Sequence, residues 1–155
     1  MTMAMHEIFK KRHSVRSYTN KPVEDKKLKE ILEAANSAPS AGNLKAREIV
    51  VVKDSKTKKA LTRQDFVVEA PVALVFFALP EKSGKKYGER GRNLYSIQDA
   101  TISASFAWLQ AVALGLSCCW VGAFDEEKVK EILKVSTDWQ PIAIMPLGYS
   151  KESNA

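Results

Sequence analysis

Ala73-Leu74-Val75-Phe76-Phe77-Ala78-Leu79 is apolar at every position. A strand points successive side chains to opposite faces. A run without polar alternation therefore belongs to a central strand covered by helices on both sides. Neighbouring segments supply the rest of a sheet. Ile49-Val50-Val51-Val52 reads as a second buried strand, residues 117–121 as a third and residues 142–147 as the last. Pro146 has no N–H to give to a ladder, so the last strand is expected to end there or to lie at an edge.

The covering helices are legible from their periodicity. Met5, Ile8 and Phe9 give a short amphipathic helix that stops near Arg12. Leu28, Ile31, Leu32 and Ala35 follow the spacing of one buried face and predict a helix over residues 24–36. A short Lys-rich helix at 55–62 and a second small helical turn follow. Residues 82–91 are polar and contain glycine, so an exposed, mobile excursion is expected there. Residues 93–115 are rich in Ala, Ser and aliphatics with almost no charge. They predict a helix buried nearly all round, with Trp108, Phe106 and Leu109 as core and Gly115 as its C-terminal cap. A last helix is expected at 126–134. Helices first, then strands alternating with helices, indicate an α+β or α/β layered fold in a single domain over residues 1–155.

With 24 basic and 18 acidic residues the net charge is +6, which favours anionic ligands. Nucleic acid is disfavoured. The lysines are interleaved with acids, as in Glu24-Asp25-Lys26-Lys27-Leu28-Lys29-Glu30, the pattern of a solvated, ion-paired helix face. Cys118 and Cys119 are adjacent. Neighbouring side chains in an extended chain diverge, so a disulfide is not expected, no metal-ligand spacing is present, and a reducing cytoplasm is the default. The N-terminus has no apolar signal run, and Met1, Met3 and Met5 are three candidate starts. The apolar stretch near 100–115 is preceded by Gln98 and Asp99 and contains Gln110 and several Ser, which argues against a membrane span.

The inventory for side-chain catalysis is poor. His6 and His13 are the only histidines, and His13 is wedged among basic groups. No paired acids on apolar ground, no Gly-rich nucleotide fingerprint after a strand and no nucleophile elbow are present. The chain is then either a binding module or a protein whose chemistry a cofactor carries. Arg12-His13-Ser14-Val15-Arg16 places two guanidinium groups, an imidazole and a hydroxyl within five residues. Arg offers a planar fork of donors that stays charged, and its bonds to phosphate are strong. The alternative is a solvated charge run. Ala38-Pro39-Ser40-Ala41-Gly42-Asn43 is a loop of small residues over which backbone can approach a ligand. The third segment is Gly115-Leu116-Ser117-Cys118-Cys119-Trp120-Val121-Gly122-Ala123-Phe124-Asp125, whose Trp120 and Val121 could equally be core. Both cysteines read as small buried hydrophobes. Asp99 stands alone on a nearly uncharged helix and needs a partner, expected to be one of the arginines of the 12–16 motif.

In order and spacing, these three segments, with Gln98-Asp99-Ala100 before the third, resemble the FMN-dependent nitroreductase family from about Met5 to Tyr149. The resemblance implies an α+β fold with a central mixed, mainly antiparallel sheet flanked by helices, and a homodimer with two FMN sites at its interface. It implies that Arg12, Ser14 and Arg16 hold the FMN phosphate and pyrimidine edge, with contacts from His13. Pro39, Ser40, Ala41 and Asn43 would come from the other subunit and line the ring and ribityl chain. Trp120, Val121, Gly122 and Ala123 would lie against the flavin, and Gln64 would contact its ring. The chain departs from the family at Lys45, often Gln, and at Arg47, often aromatic, so this loop is more basic. Of the basic residue beyond the last strand that helps clamp the phosphate, only Lys151 is available, with Lys45 as a substitute. By the same resemblance NADH or NADPH reduces FMN, and nitroaromatic or quinone acceptors reoxidise it in ping-pong order, with no catalytic side chain and no metal. Reductive dehalogenation, flavin fragmentation and flavin sequestration are alternatives on the same site. A 2′-phosphate-reading motif, which would separate NADPH from NADH, is not recognisable.

Overall fold

The computed structural model describes residues 2–152. The all-apolar run forms β2 (Val72–Ala78), buried along its whole length. It lies between β1 (Arg47–Val52) and β4 (Gln140–Gly148), with the two-residue β3 (Ser117–Cys118) beyond β4. All three pairings are antiparallel. A parallel bridge between Ser14 and Cys118 adds the segment after the first helix to this edge.

Alternation along β2 explains why the sheet has two helical layers. Val72, Leu74 and Phe76 pack with Leu28, Ile31 and Ala35 of α2 (Asp25–Ser37) and Ala104, Ala107 and Ala111 of α6 (Ser96–Ala113). Ala73, Val75 and Phe77 face the other way. They meet Leu61 of α3 (Ser55–Leu61), Val67 of α4 (Asp65–Glu69) and Val129 of α7 (Glu126–Leu133). α6 ends as its sequence predicts. Gly115 sits at φ +82°, its N–H bonds Val112 O, and Leu116 N–H bonds Ala111 O, the paired closure of a left-handed cap.

Five expectations need correction. β1 is an edge strand whose middle residues are half-buried, because nothing pairs with its outer side in the described chain. β4 is interior despite Pro146. The ladder with β3 stops after Cys118–Leu147 and resumes as a single bridge at Val121–Ile144. In that register Pro146 falls opposite Cys119, where the two-residue alternation from Val121 calls for the N–H that proline lacks. The same gap shortens the predicted strand over 117–121 to two residues.

The fourth correction is the largest. Residues 82–91 are not an excursion but most of α5 (Pro80–Arg90), kinked at Gly88 and followed by a π-turn (Gly91–Tyr95) that runs into α6. Gly88, at φ +62°, supplies the kink, while Gly84 and Gly91 allow close packing. A Cβ on Gly91 would lie 2.7 Å from Ser83 O, and Arg92 is held by Glu81 at 3.0 Å and Glu89 at 3.2 Å. Because the obstructing atom is backbone, Gly91→Ala is expected to lower stability by about 1–3 kcal/mol, read as a fall in thermal midpoint. Fifth, α6 is not buried all round. Trp108 is core and Leu109 half-buried, but Ser105 and Phe106 face outward, Phe106 with 38% of its surface exposed. On α1 (Met5–Lys11) only Ile8 is buried, while Met5 and Phe9 remain 60% and 55% exposed.

One cluster ties the start of α2 to the end of β4. Tyr149 Oη donates to Glu24 at 2.6 Å, and Lys27 Nζ reaches Tyr149 Oη at 2.8 Å. The Tyr149 hydroxyl and then Lys27 pull the Glu24 carboxyl down from 4.5 to about 2. A depressed carboxyl binds fewer protons folded than unfolded. Its contribution is therefore complete above pH 4.5 and is lost as the pH falls towards 2. Tyr149→Phe is expected to flatten that part of the acid-unfolding curve and leave stability at pH 7–9 with the same pH dependence.

Candidate functional site

The segment after α1 is extended and pinned on one side. Val15 and Tyr18 are buried, Val15 N–H bonds Cys118 O at 3.0 Å, and Tyr18 N–H bonds Glu69 at 2.6 Å. Thr19 N–H to Tyr149 O and Lys151 N–H to Ser17 O continue the pairing with the end of the chain. With those two side chains inside, Arg12 and Arg16 are exposed and His13 and Ser14 half-exposed.

The structure joins the first and third sequence segments. Arg16 lines a cleft of about 210 Å³ with Gln64, Phe66, Cys119, Trp120, Val121, Gly122 and Ala123. Gln64 arrives there because Thr62 Oγ1 donates to Ala123 O at 3.0 Å, tying the α3–α4 connection to the segment after β3. A second cavity, about 310 Å³, is lined by Arg12, Ser105, Trp108, Leu109 and Trp120. Trp120 belongs to both, so the two arginines of one motif serve adjoining spaces. Over Gly122 the space is open: a Cβ built there meets nothing within 4 Å.

The middle segment lies elsewhere. Pro39, Ser40 and Ala41 line a cavity of about 520 Å³ with Tyr95, Gln98, Asp99, Thr101 and Ile102. No described cavity contains both this loop and the Arg12–Arg16 motif. The loop is held by Arg47, only 7% exposed. Its Nη1 donates to Pro39 O at 3.0 Å and Asp99 O at 3.1 Å, and its Nη2 to Asn36 O at 3.3 Å and Ala38 O at 2.6 Å. Burial pulls the guanidinium down from its usual range and Asp99 pushes it back up. Arg47 therefore brings no free charge to a ligand. It bridges four carbonyls, tying the Pro39–Ala41 loop to the end of α2 and to α6.

Asp99 does not pair with Arg12 or Arg16. Its Oδ1 accepts Ala41 N–H at 3.0 Å, and its Oδ2 is buried without a partner. The correction follows from position. Asp99 lies in the first turns of α6 beneath the Pro39–Ala41 loop, whereas Arg12 lies against Trp108, further along the same helix. Gly42, Asn43 and Lys45 all have left-handed φ, between +50° and +60°, and Ser40 Oγ accepts Lys45 N–H at 2.9 Å. Lys45 thus sits on this loop rather than beside the 12–16 motif.

At the other end, Lys151 lies beside the motif, but its Nζ is 3.5 Å from Glu69. The tail also brings a carboxylate that sequence reasoning missed. Glu152 Oε1 accepts Arg16 N–H at 3.1 Å, and Oε2 is 3.5 Å from His13 Nε2. The antiparallel pairing of residues 17–19 with 149–151 delivers it there. The sequence signal for it is an acid three residues after Tyr149. Cys118 and Cys119 are buried, and burial raises both thiols, so neither is a nucleophile at neutral pH. A further cleft of about 610 Å³ between α2 and β1 holds none of the predicted site residues.

The nitroreductase family model matches residues 9–63 and 56–149. A Thermus thermophilus protein named NADH dehydrogenase is 34% identical, over 92% of this chain and 84% of its own length. An FMN-dependent nitroreductase of Clostridium difficile R20291 is 34% identical, covers 94% of this chain and 87% of its own, and superposes with a TM-score of 0.82. A nitroreductase family protein of Clostridium novyi NT superposes at 0.85 with 28% identity, over 97% of this chain and 87% of its own. With its sheet order, its Arg16 in one cleft with Gly122 and these matches across nearly the whole described length, the chain belongs to the nitroreductase family.

Proposed function

We propose that residues 1–155 form a single FMN-binding domain of a cytoplasmic, NAD(P)H-dependent oxidoreductase that acts as a homodimer on nitroaromatic, quinone or related acceptors. The observation that carries the reading is the cleft where Arg16, Gln64 and Trp120 surround a glycine with open space in front of it. That donor set fits a flavin. Arg16 offers positive charge and Gln64 an amide to the polar edge of a flat ring, and the missing Cβ at Gly122 lets the ring lie against backbone. Arg12 fits the phosphate. At about 210 Å³ the cleft is smaller than the roughly 300–1,000 Å³ of a complete small-molecule site. One chain therefore supplies one wall.

The second wall is assigned to Pro39, Ser40, Ala41 and Asn43 of a second copy. The uncharged outward stripe of α6 with Phe106, and the exposed Met5 and Phe9 of α1, give that copy an apolar surface to bury. Arg47 and Asp99 keep the loop in one conformation before any ligand arrives, so little ordering is required on binding. Bound FMN would supply the redox chemistry, hydride in from NAD(P)H and electrons out to the acceptor in ping-pong order. The residues of the chain bind, orient and exclude water, and no side chain needs to move a proton. Positive charge from Arg16 stabilises negative charge that develops at the ring edge.

The decisive experiment is a visible absorption spectrum of the purified protein with added FMN, before and after anaerobic NADH or NADPH. A bound flavin spectrum that bleaches with reductant is expected. Failure to take up FMN overturns the reading, and uptake without bleaching replaces the enzyme with a flavin-sequestering protein.

A further inference from the structure

The two arginines of the 12–16 motif are held differently. Arg16 has its own N–H bound by Glu152 and its side chain in the 210 Å³ cleft. The Arg12 guanidinium lies over the Trp108 ring, 4.9 Å from its centroid, and among the described residues no carboxylate or other acceptor meets it. Three other arginines contrast with it: Arg47 gives its donors to four carbonyls, Arg92 to two carboxylates, and Arg90, which also lies over a ring, gives its Nε–H to Tyr95 Oη at 3.2 Å. Arg12 is a cation held from one side by an aromatic face, with its edge donors uncommitted.

Trp108 is itself fixed. It is buried on α6, in the cluster that includes Ile8, Ala104 and Ala111. As a mere filler it is costly, because its Nε1–H is buried with no hydrogen-bond partner, a burden that an aliphatic or Phe side chain would not bring. What the indole offers and those aliphatics lack is a strong π-face for a cation.

We propose that Trp108 is a positioning residue that holds Arg12 for a phosphate monoester, and so sets the preference for FMN over the phosphate-free flavin. This rests on the flavin reading of the site above. Stacking restricts the guanidinium to one place at the mouth of the 310 Å³ cavity and leaves its N–H fork for the anion. Trp120, shared by that cavity and the Gly122 cleft, sets the phosphate seat beside the ring seat.

The test measures FMN and riboflavin affinity by quenching of flavin fluorescence. Arg12→Ala is expected to weaken FMN about tenfold or more and leave riboflavin within about twofold. Trp108→Leu is expected to weaken FMN about three- to tenfold, again sparing riboflavin, and Trp108→Phe to recover most of the loss. In the Arg12→Ala background Trp108→Leu should cost nothing further. Should Trp108→Leu fail to fold, Trp108→Met, of similar volume but longer and more adaptable, fills the irregular gap without an aromatic face. Equal loss of FMN and riboflavin, or an undiminished Trp108 effect without Arg12, overturns the proposal. A second arm separates it from the flavin reading: inorganic phosphate is titrated while the Arg12 Nε–H resonance is followed. The proposal requires that phosphate shift this signal in the wild type and need a higher concentration in Trp108→Leu. No shift, or equal titrations, overturns it whatever flavin does. A shift in a protein that takes up no FMN removes the flavin reading and keeps the clamp.

Discussion

Arg47→Met is expected to lower stability by about 3–5 kcal/mol, a large part of the roughly 5–15 kcal/mol available to a domain of this size. The side chain volume is nearly conserved, so the loss comes from polar groups. The carbonyls of Asn36, Ala38, Pro39 and Asp99 each lose their guanidinium donor, those of Ala38 and Asp99 at buried positions. Each stranded carbonyl costs about 1–3 kcal/mol before the loop relaxes. Asp99 also loses a favourable positive charge while its Oδ2 is already unpartnered. Arg47→Lys should recover less than half, since one ammonium cannot reach four acceptors spread over Asn36 to Asp99. Urea unfolding measures the loss. Proteolysis should open first within residues 36–45, and flavin binding should fall with it. A loss below about 1 kcal/mol would mean that the loop is held by something other than this residue.

That expectation runs against the plain reading of the sequence, where Arg47 counts as extra charge on a ligand loop. A side chain's charge is visible in a sequence, but its burial is not. The same blindness applies to Lys58, placed in a Lys-rich helix yet buried with Nζ bonded to Val68 O and Ala70 O, and pulled down by desolvation. Patterns fixed by local geometry were legible. The uninterrupted apolar β2, the spacing of Leu28, Ile31 and Ala35, and Gly115 as a cap each depend on a few neighbouring residues. What failed depended on distant partners. Gly84, Gly88 and Gly91 read as loop residues because glycine marks a turn or a close approach equally well: Gly84 packs against Arg92 and Gly91 against Ser83 one helical segment away, and only Gly88 supplies a bend. Pro146 read as an edge marker because the break in β3 that tolerates it lies about 27 residues away. Glu152 meets Arg16 across 136 residues. The motif residues themselves were legible as a set, Arg16 with Gln64 and residues 120–123. Their separation from Pro39, Ser40 and Ala41 is what one chain shows and what a second copy would have to close.

Gly122 offers the sharpest separation of binding from folding. Within this chain its missing Cβ serves no packing purpose, since the position is open for 4 Å and its backbone lies outside the left-handed region that penalises side chains. Gly122→Val should therefore leave the thermal midpoint nearly where it is, a change within about 0.5 kcal/mol as for other unstrained surface substitutions. Gly91 is the internal contrast, because there the same added carbon strikes Ser83 O and the fold carries the loss. If a flat ring rests on the Gly122 backbone, the valine methyls occupy its place in a cleft of only about 210 Å³. Flavin affinity should then fall about 10- to 100-fold, the equivalent of the 1–3 kcal/mol of an overpacked contact. Gly122→Ala should lie between. FMN and riboflavin should suffer equally, because the clash is at the ring and not at the phosphate, the reverse of the pattern expected for Arg12. A valine variant that binds FMN as the wild type does would move the ring away from Gly122 and leave Arg16 and Gln64 as the residues to follow. A variant that loses both fold and flavin would show instead that the open space in front of Gly122 is filled by the protein in solution.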